Sequence, residues 1–214
     1  MTALGPGTGS GTTGRPGRRH ESYADRRARR AAIDDPEVVL AAALRFLETR
    51  ARSVAETRRR LTDAGYRPEL IEGAIDRLLA LGLLDDASFA RGWIESRDRA
   101  RPRGETALRR ELRLRGVDPA LVDAALEARR VEEANELAGP SGDDGSPPAR
   151  ADPDETAARR LLERRRHDLE RVADPRKRRA RAYALLARNG FGPEIAAQLS
   201  APFGSTGGEA EDIG

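Results

Sequence analysis

The sequence predicts an all-α fold of tandem three-helix repeats, and three observations carry that prediction. The first is a frame that occurs three times: Gly65-Tyr66-Arg67-Pro68-Glu69-Leu70-Ile71, Gly116-Val117-Asp118-Pro119-Ala120-Leu121-Val122 and Gly190-Phe191-Gly192-Pro193-Glu194-Ile195-Ala196. A Leu stands four residues before each Gly, at Leu61, Leu112 and Leu186. A Leu-bearing helix that ends at Gly, which tolerates the left-handed conformation, followed by Pro opening the next helix, gives one helix–turn–helix step. The second is a set of Asp-Pro pairs that read as helix starts, at Asp35-Pro36, Asp118-Pro119, Asp152-Pro153 and Asp174-Pro175. The third is apolar spacing of helical period, as in Leu40, Leu44 and Leu47. Units of about 50 residues repeated in this way bury their apolar faces by stacking and leave a long surface for a partner.

Taken in order, residues 1–34 read as a disordered basic tail, rich first in Gly, Thr, Ser and Pro and then in Arg. Residues 35–84 form the first repeat. Its first helix carries Leu40, Leu44 and Leu47 with Phe46 beside them. Ser53-Val54-Ala55-Glu56 reads as a capping box for the second helix, which runs to Gly65. The third helix starts at Pro68 and carries Leu70, Ile71, Ala74, Ile75, Leu78 and Leu79. Residues 85–138 repeat that order. A helix with Phe89, Trp93 and Ile94 is capped by Asp85 or Asp86, and an Arg-rich connection over 97–103 follows it. The next helix runs through Leu108 and Leu112 to Gly116, and the last one bears Leu121, Val122, Ala125 and Leu126. Residues 139–153 read as a flexible Pro/Gly linker. Residues 154–203 form the third repeat, whose second helix, begun at Asp174-Pro175, is one turn longer than its counterparts. Residues 204–214 are an acidic disordered tail.

The chain has 214 residues, of which 38% are apolar, 35% charged and only 4% aromatic, so its core is thin for its length. Net charge is only +3, but 38 of the 39 basic residues are Arg, with Lys177 the exception. Codon use in a GC-rich genome accounts for much of that excess, and guanidinium forks suit carboxylate and phosphate recognition. The absence of Cys excludes disulfides and thiolate metal sites. No apolar run is long enough to span a membrane and no signal-peptide core opens the chain, so a cytoplasmic protein, expected as a monomer, is the reading.

Tests for catalytic chemistry come out negative. Gly9-Ser10-Gly11-Thr12-Thr13-Gly14 matches a phosphate-loop pattern but has no room for a preceding strand. Asp85 and Asp86 sit where helix caps belong, and His20 and His167 have no partner at a useful spacing. No enzyme activity, cofactor or metal is expected. Phe89 and Trp93, and likewise Tyr183, read as core rather than as base-stacking platforms. Two basic stretches stand out: residues 91–115 hold nine Arg against four acids, and residues 155–183 hold eleven basic residues against five acids. Such faces are either laced with local ion pairs or aimed at a polyanion. Arg97, Arg99, Arg101, Arg103, Arg109, Arg110, Arg113 and Arg115 are the candidate contact residues on this charge argument.

The stretch Ala43-Leu44-Arg45-Phe46-Leu47-Glu48-Thr49-Arg50-Ala51-Arg52-Ser53, followed by Leu61, Gly65, Gly82-Leu83-Leu84-Asp85-Asp86, Phe89-Ala90, Arg97, Gly104, Leu112 and Gly116, resembles RecX, the family of bacterial regulators of the RecA recombinase. The resemblance covers roughly residues 38–128 and extends more loosely over 155–200. It implies an elongated, curved array of three-helix repeats. It further implies a non-enzymatic inhibitor that binds the groove of the RecA–DNA filament and restrains its growth, ATP hydrolysis and strand exchange. The long linker and the Arg-rich tail fall outside the shared pattern. The Arg-rich faces and tail also offer nonspecific DNA contact. The alternative reading is a stand-alone DNA-binding protein that uses helix–turn–helix pairs and the basic tail. It would need polar base-reading residues at the start of a recognition helix, where the helices after Pro68 and Pro119 carry apolar ones.

Overall fold

The computed structural model describes residues 22–138 and 152–205; residues 1–21, 139–151 and 206–214 lie outside. His20, the run from Gly9 to Gly14, nearly all of the linker and the acidic tail therefore fall outside the described residues. Among the described residues there are ten α-helices, one 3₁₀ turn and no strand. The helices are α1 (Tyr23–Ala31), α2 (Pro36–Leu47), α3 (Val54–Ala64), α4 (Pro68–Ala80), α5 (Asp86–Ala100), α6 (Glu105–Leu114), α7 (Pro119–Ala138), α8 (Pro153–Glu170), α9 (Pro175–Arg188) and α10 (Pro193–Ser200).

The repeated frame has one physical basis in all three copies. Gly65, Gly116 and Gly190 each adopt positive φ (101°, 75° and 84°). The residue after each Gly donates its N–H to the carbonyl of the Leu four residues before that Gly: Tyr66 to Leu61, Val117 to Leu112 and Phe191 to Leu186. This closing pattern satisfies carbonyls the helix end would otherwise leave open. The same Leu side chains are almost fully buried. One residue thus accepts the turn's hydrogen bond and anchors a core. The cores are three separate clusters. Val39, Leu61, Ile75 and Leu78 centre the first, Leu108, Leu112 and Leu126 the second, and Ala158, Ala182, Leu186 and Phe191 the third. Asp35, Asp118, Asp152 and Asp174 all accept backbone N–H groups at the starts of α2, α7, α8 and α9. The predicted extra turn is present: α9 has 14 residues against 11 in α3 and 10 in α6.

Four expectations need correction. Residues 23–31, read as disordered tail, are helical. Ser22 and Asp25 form a reciprocal capping box, and α1 buries no residue, so no apolar stripe could announce it. The connection over 97–103 is shorter than expected, because α5 runs to Ala100 and breaks only at Arg101, the residue before Pro102. Ser53 caps α3 by accepting the Glu56 N–H, but Glu56 does not complete the box; its carboxylate goes to Arg50 and Arg115. Tyr183 is exposed, because Ala182 and Leu186 take the buried face of α9.

The units stack through two joints built on one plan. In the first, Asp86 at the start of α5 accepts the N–H of Val54 at the start of α3 (2.9 Å), and Ser53 Oγ donates to the Arg115 carbonyl (2.6 Å). In the second, Asp154 at the start of α8 accepts the N–H of Glu105 at the start of α6 (2.8 Å), and the Gly104 N–H donates to the Asn189 carbonyl (3.0 Å). Each unit therefore caps the middle helix of the unit before it. The turn glycine of the later unit seats against that same helix start: a Cβ at Gly116 would collide with Ala55, and one at Gly190 with Ala107. Gly104 approaches the Gly190 backbone so closely that no side chain fits there. Helix α1 occupies the corresponding place on the first unit. It packs Arg27 against Gly65, and Arg30 donates to the Ala64 carbonyl (3.3 Å).

Candidate partner-binding surface

The arginines of residues 91–115 divide into two groups when placed on this scaffold. Arg97 and Arg115 turn inward around Trp93, their guanidiniums 4.2 and 3.7 Å from its ring centroid. Trp93 Nε1 donates to Glu111 (2.9 Å), which also pairs with Arg97 (2.7 Å). Trp93 thus packs against the core of the second unit and stacks on Phe89 at 6.1 Å. Arg115 continues across the first joint to Glu56, and Arg103 crosses the second to Asn189 Oδ1. Arg109 is spent on Glu105 and Asp123. Arg103 and Arg115 reach across the joints, Arg97 and Arg109 are engaged within the second unit, and the structure does not bring these four side chains to an open face with the rest.

Arg99, Arg101, Arg110 and Arg113 are exposed. Arg99 pairs with Glu95 one turn away, and surface pairs of that kind contribute little. Among the described residues, Arg101, Arg110 and Arg113 have no ion pair. The second basic stretch divides likewise. Arg159, Arg165 and Arg166 make local pairs on α8, and Arg164 donates to the carbonyls of Arg99 and Ala100 across the second joint (2.7 Å each). Arg176, Lys177 and Arg181 on α9 stand exposed.

Sequence reasoning missed a buried charge cluster. Arg129 on α7 is only 8% exposed and donates to Asp98 on α5 (2.8 and 2.9 Å) and to Asp154 on α8 (2.7 Å). Burial raises Asp98 and Asp154 above the usual carboxylate value, against the pull of Arg129 and, at Asp154, of the Glu105 N–H. No spacing rule links residues 98, 129 and 154, so nothing in the sequence pattern could have found them. The pair Asp85 and Asp86 does act in capping. Asp85 caps its own α5, whereas Asp86 caps α3 of the preceding unit and is raised by burial. His167 is exposed. Among the described residues no group of His, Asp and Glu could hold a metal, and no helix is long and apolar enough to cross a membrane.

Three stacked helix triplets define a helical-repeat protein. The family comparison is specific. The RecX models match unit by unit, the first three-helix domain over residues 40–78, the second over 85–126 and the third over 153–199. Among relatives named regulatory protein RecX, that of Mycobacterium sp. (strain JLS) is 35% identical over 153 residues, covering 72% of this chain and 74% of the relative. That of Deinococcus radiodurans is 35% identical over 177 residues, covering 82% and 74%. The chain belongs to the RecX family. Its fold is also similar to the crystal structure of RecX from Lactobacillus salivarius, with TM-score 0.56 and 19% identity over 79% of this chain and 97% of that one. A second crystal structure, of regulatory protein RecX, gives TM-score 0.58 and 18% identity over 82% and 73%.

Proposed function

We propose that this protein regulates the RecA recombinase by binding in the groove of the RecA–DNA filament, where it restrains filament growth, ATP hydrolysis and strand exchange without catalysing a reaction. Membership of the RecX family is the observation that carries this reading. The architecture supports it physically. A filament repeats one surface at regular intervals, and an array of fixed units can make several weak contacts whose effective concentrations multiply. Arg99, Arg101, Arg110 and Arg113 are the side chains we assign to that contact, whereas Arg103 and Arg115 serve it by bridging the units and Arg97 and Arg109 by bracing the second unit.

The test is DNA-dependent ATP hydrolysis by the cognate RecA, with this protein added well below one copy per RecA. Inhibition that excess free DNA fails to relieve is expected. Charge reversal at Arg101, Arg110 and Arg113 together should raise the amount needed about tenfold or more, as rim charges act mainly on encounter and salt dependence. Unaltered inhibition by that variant would assign the contact to another face. No inhibition by the wild type, together with DNA binding that collapses as salt rises, would favour the stand-alone DNA-binding reading.

A further inference from the structure

The first unit holds a second basic surface that the regulatory reading does not use. A cleft of about 840 Å³ opens between α1, α2 and α3, and five arginines line it against one carboxylate, Asp63. Three arginines elsewhere in this unit pair with carboxylates: Arg58 with Glu72, Arg67 with Asp34 and Arg77 with Glu37. In the cleft, Arg52 and Arg60 stand over an aromatic ring instead. The Arg52 guanidinium lies 4.2 Å and that of Arg60 5.8 Å from the Phe46 centroid. Arg52 gives one donor to Thr49 Oγ1 (3.1 Å), and its buried Nε has no acceptor. Arg45 and Arg60 are exposed and, among the described residues, have no carboxylate partner. Burial and the neighbouring charges of Arg50, Arg115 and Arg60 hold Arg52 below the usual guanidinium range, with only Glu56 opposing. Such a cluster repels itself until an anion enters it.

We infer that this cleft is a binding site for a single-stranded nucleic acid, with Arg45, Arg52 and Arg60 on its phosphates. Guanidinium forks match phosphate oxygens in pairs. The donors come from α2, the loop that follows it and α3, spread along the cleft, which suits a chain of phosphates better than one small anion. Tyr23, 60% exposed at the cleft wall and held in place by its hydroxyl donating to the Asp63 carbonyl (2.8 Å), offers a ring on which a base can stack. An acidic peptide would satisfy the charges but would leave that ring without a role. The inference does not rest on the RecA reading, and its test contains no RecA.

The experiment is fluorescence anisotropy of a labelled oligodeoxythymidylate against the full chain over a range of salt concentrations. Arg45→Glu with Arg60→Glu should weaken binding about tenfold or more and lower the slope of log K against log salt by about 1.4, at roughly 0.7 per phosphate contact on a single strand. Both residues are exposed, so the fold should persist, and circular dichroism checks that it does. Arg171→Glu with Arg188→Glu makes the same charge change on exposed residues of the third unit and should leave the slope in place. Equal losses in the two variants would show diffuse attraction and overturn the site. Displacement by polyglutamate as effective as by unlabelled oligonucleotide would give the cleft to an acidic peptide instead. Displacement by thymidine monophosphate at equal phosphate concentration would give it to a small ligand, against the strand.

Discussion

The two joints between repeats share a plan but differ in what fills it. At the first, Ser53 is the cap residue of the middle helix, and the charged pair that crosses is Arg115 with Glu56, side chains 26% and 13% exposed. At the second, Gly104 replaces Ser53, so the backbone N–H makes the bond that a hydroxyl makes at the first. The ion pair that crosses there is Arg129 with Asp154, and Arg129 is almost buried and shared with a second carboxylate, Asp98. Units one and two are joined by a few residues of chain, whereas the second and third are separated in sequence by residues 139–151. A joint with a short covalent connection tolerates solvated pairs. One without it is closed by backbone contact and a desolvated network, whose geometry admits few alternatives.

The sharpest way to break this comparison is to remove the crossing charge at each joint. Arg129→Ala leaves Asp98 and Asp154 buried without a cation, and should cost about 3–5 kcal/mol, the usual loss when one member of a buried pair is deleted. Glu56→Ala leaves Arg50 and Arg115 partly open to water, 44% and 26% exposed, and should cost less, about 1–2 kcal/mol. Thermal unfolding followed by circular dichroism separates the two. Equal losses would mean that the joints are energetically alike.

A smaller effect sharpens the same contrast through pH. Burial pushes against ionisation of Glu56, but hydrogen bonding and charge from Arg50, with Arg115 and the Ser53 cap, hold its pKa below the usual glutamate value of 4.5. Its contribution is therefore complete above the unfolded value and is lost as pH falls through the lower folded one. Asp98 and Asp154 are raised by burial, so their linkage has the opposite sign: that contribution is complete below the unfolded value of 3.8 and is lost as pH rises through the folded one. Acidification should thus shrink the difference in Tm between wild type and Glu56→Gln and leave that for Asp154→Asn undiminished. Parallel pH profiles for the two differences would contradict the assignment.

What could be read in advance follows from where the information sits. The turns were legible because Leu61, Gly65 and Pro68, with their counterparts, perform local tasks whose residue preferences are strong. The joints were not, because Asp86 capping Val54 and Asp154 capping Glu105 are tertiary versions of a cap, with the partners 32 and 49 positions apart in sequence. Asp86 looked like a local cap and in fact serves the neighbouring unit. The candidate surface was half legible. Charge density singles out residues 91–115, but only packing shows that Arg97, Arg103 and Arg115 turn inward while Arg101, Arg110 and Arg113 face solvent. Helix α1 escaped notice because a helix without an apolar face resembles a solvated tail in composition.

The central claim is that the two joints fix three small cores into one body. The chain has no cysteine, so spin labels at Arg59→Cys on α3 and Arg188→Cys on α9, both exposed, report one distance across both joints by double electron–electron resonance. The account predicts a single narrow distribution in the wild-type background that broadens when Arg129→Ala is added. A broad distribution without that substitution would mean that the repeats move independently, and the rigid array would have to be abandoned.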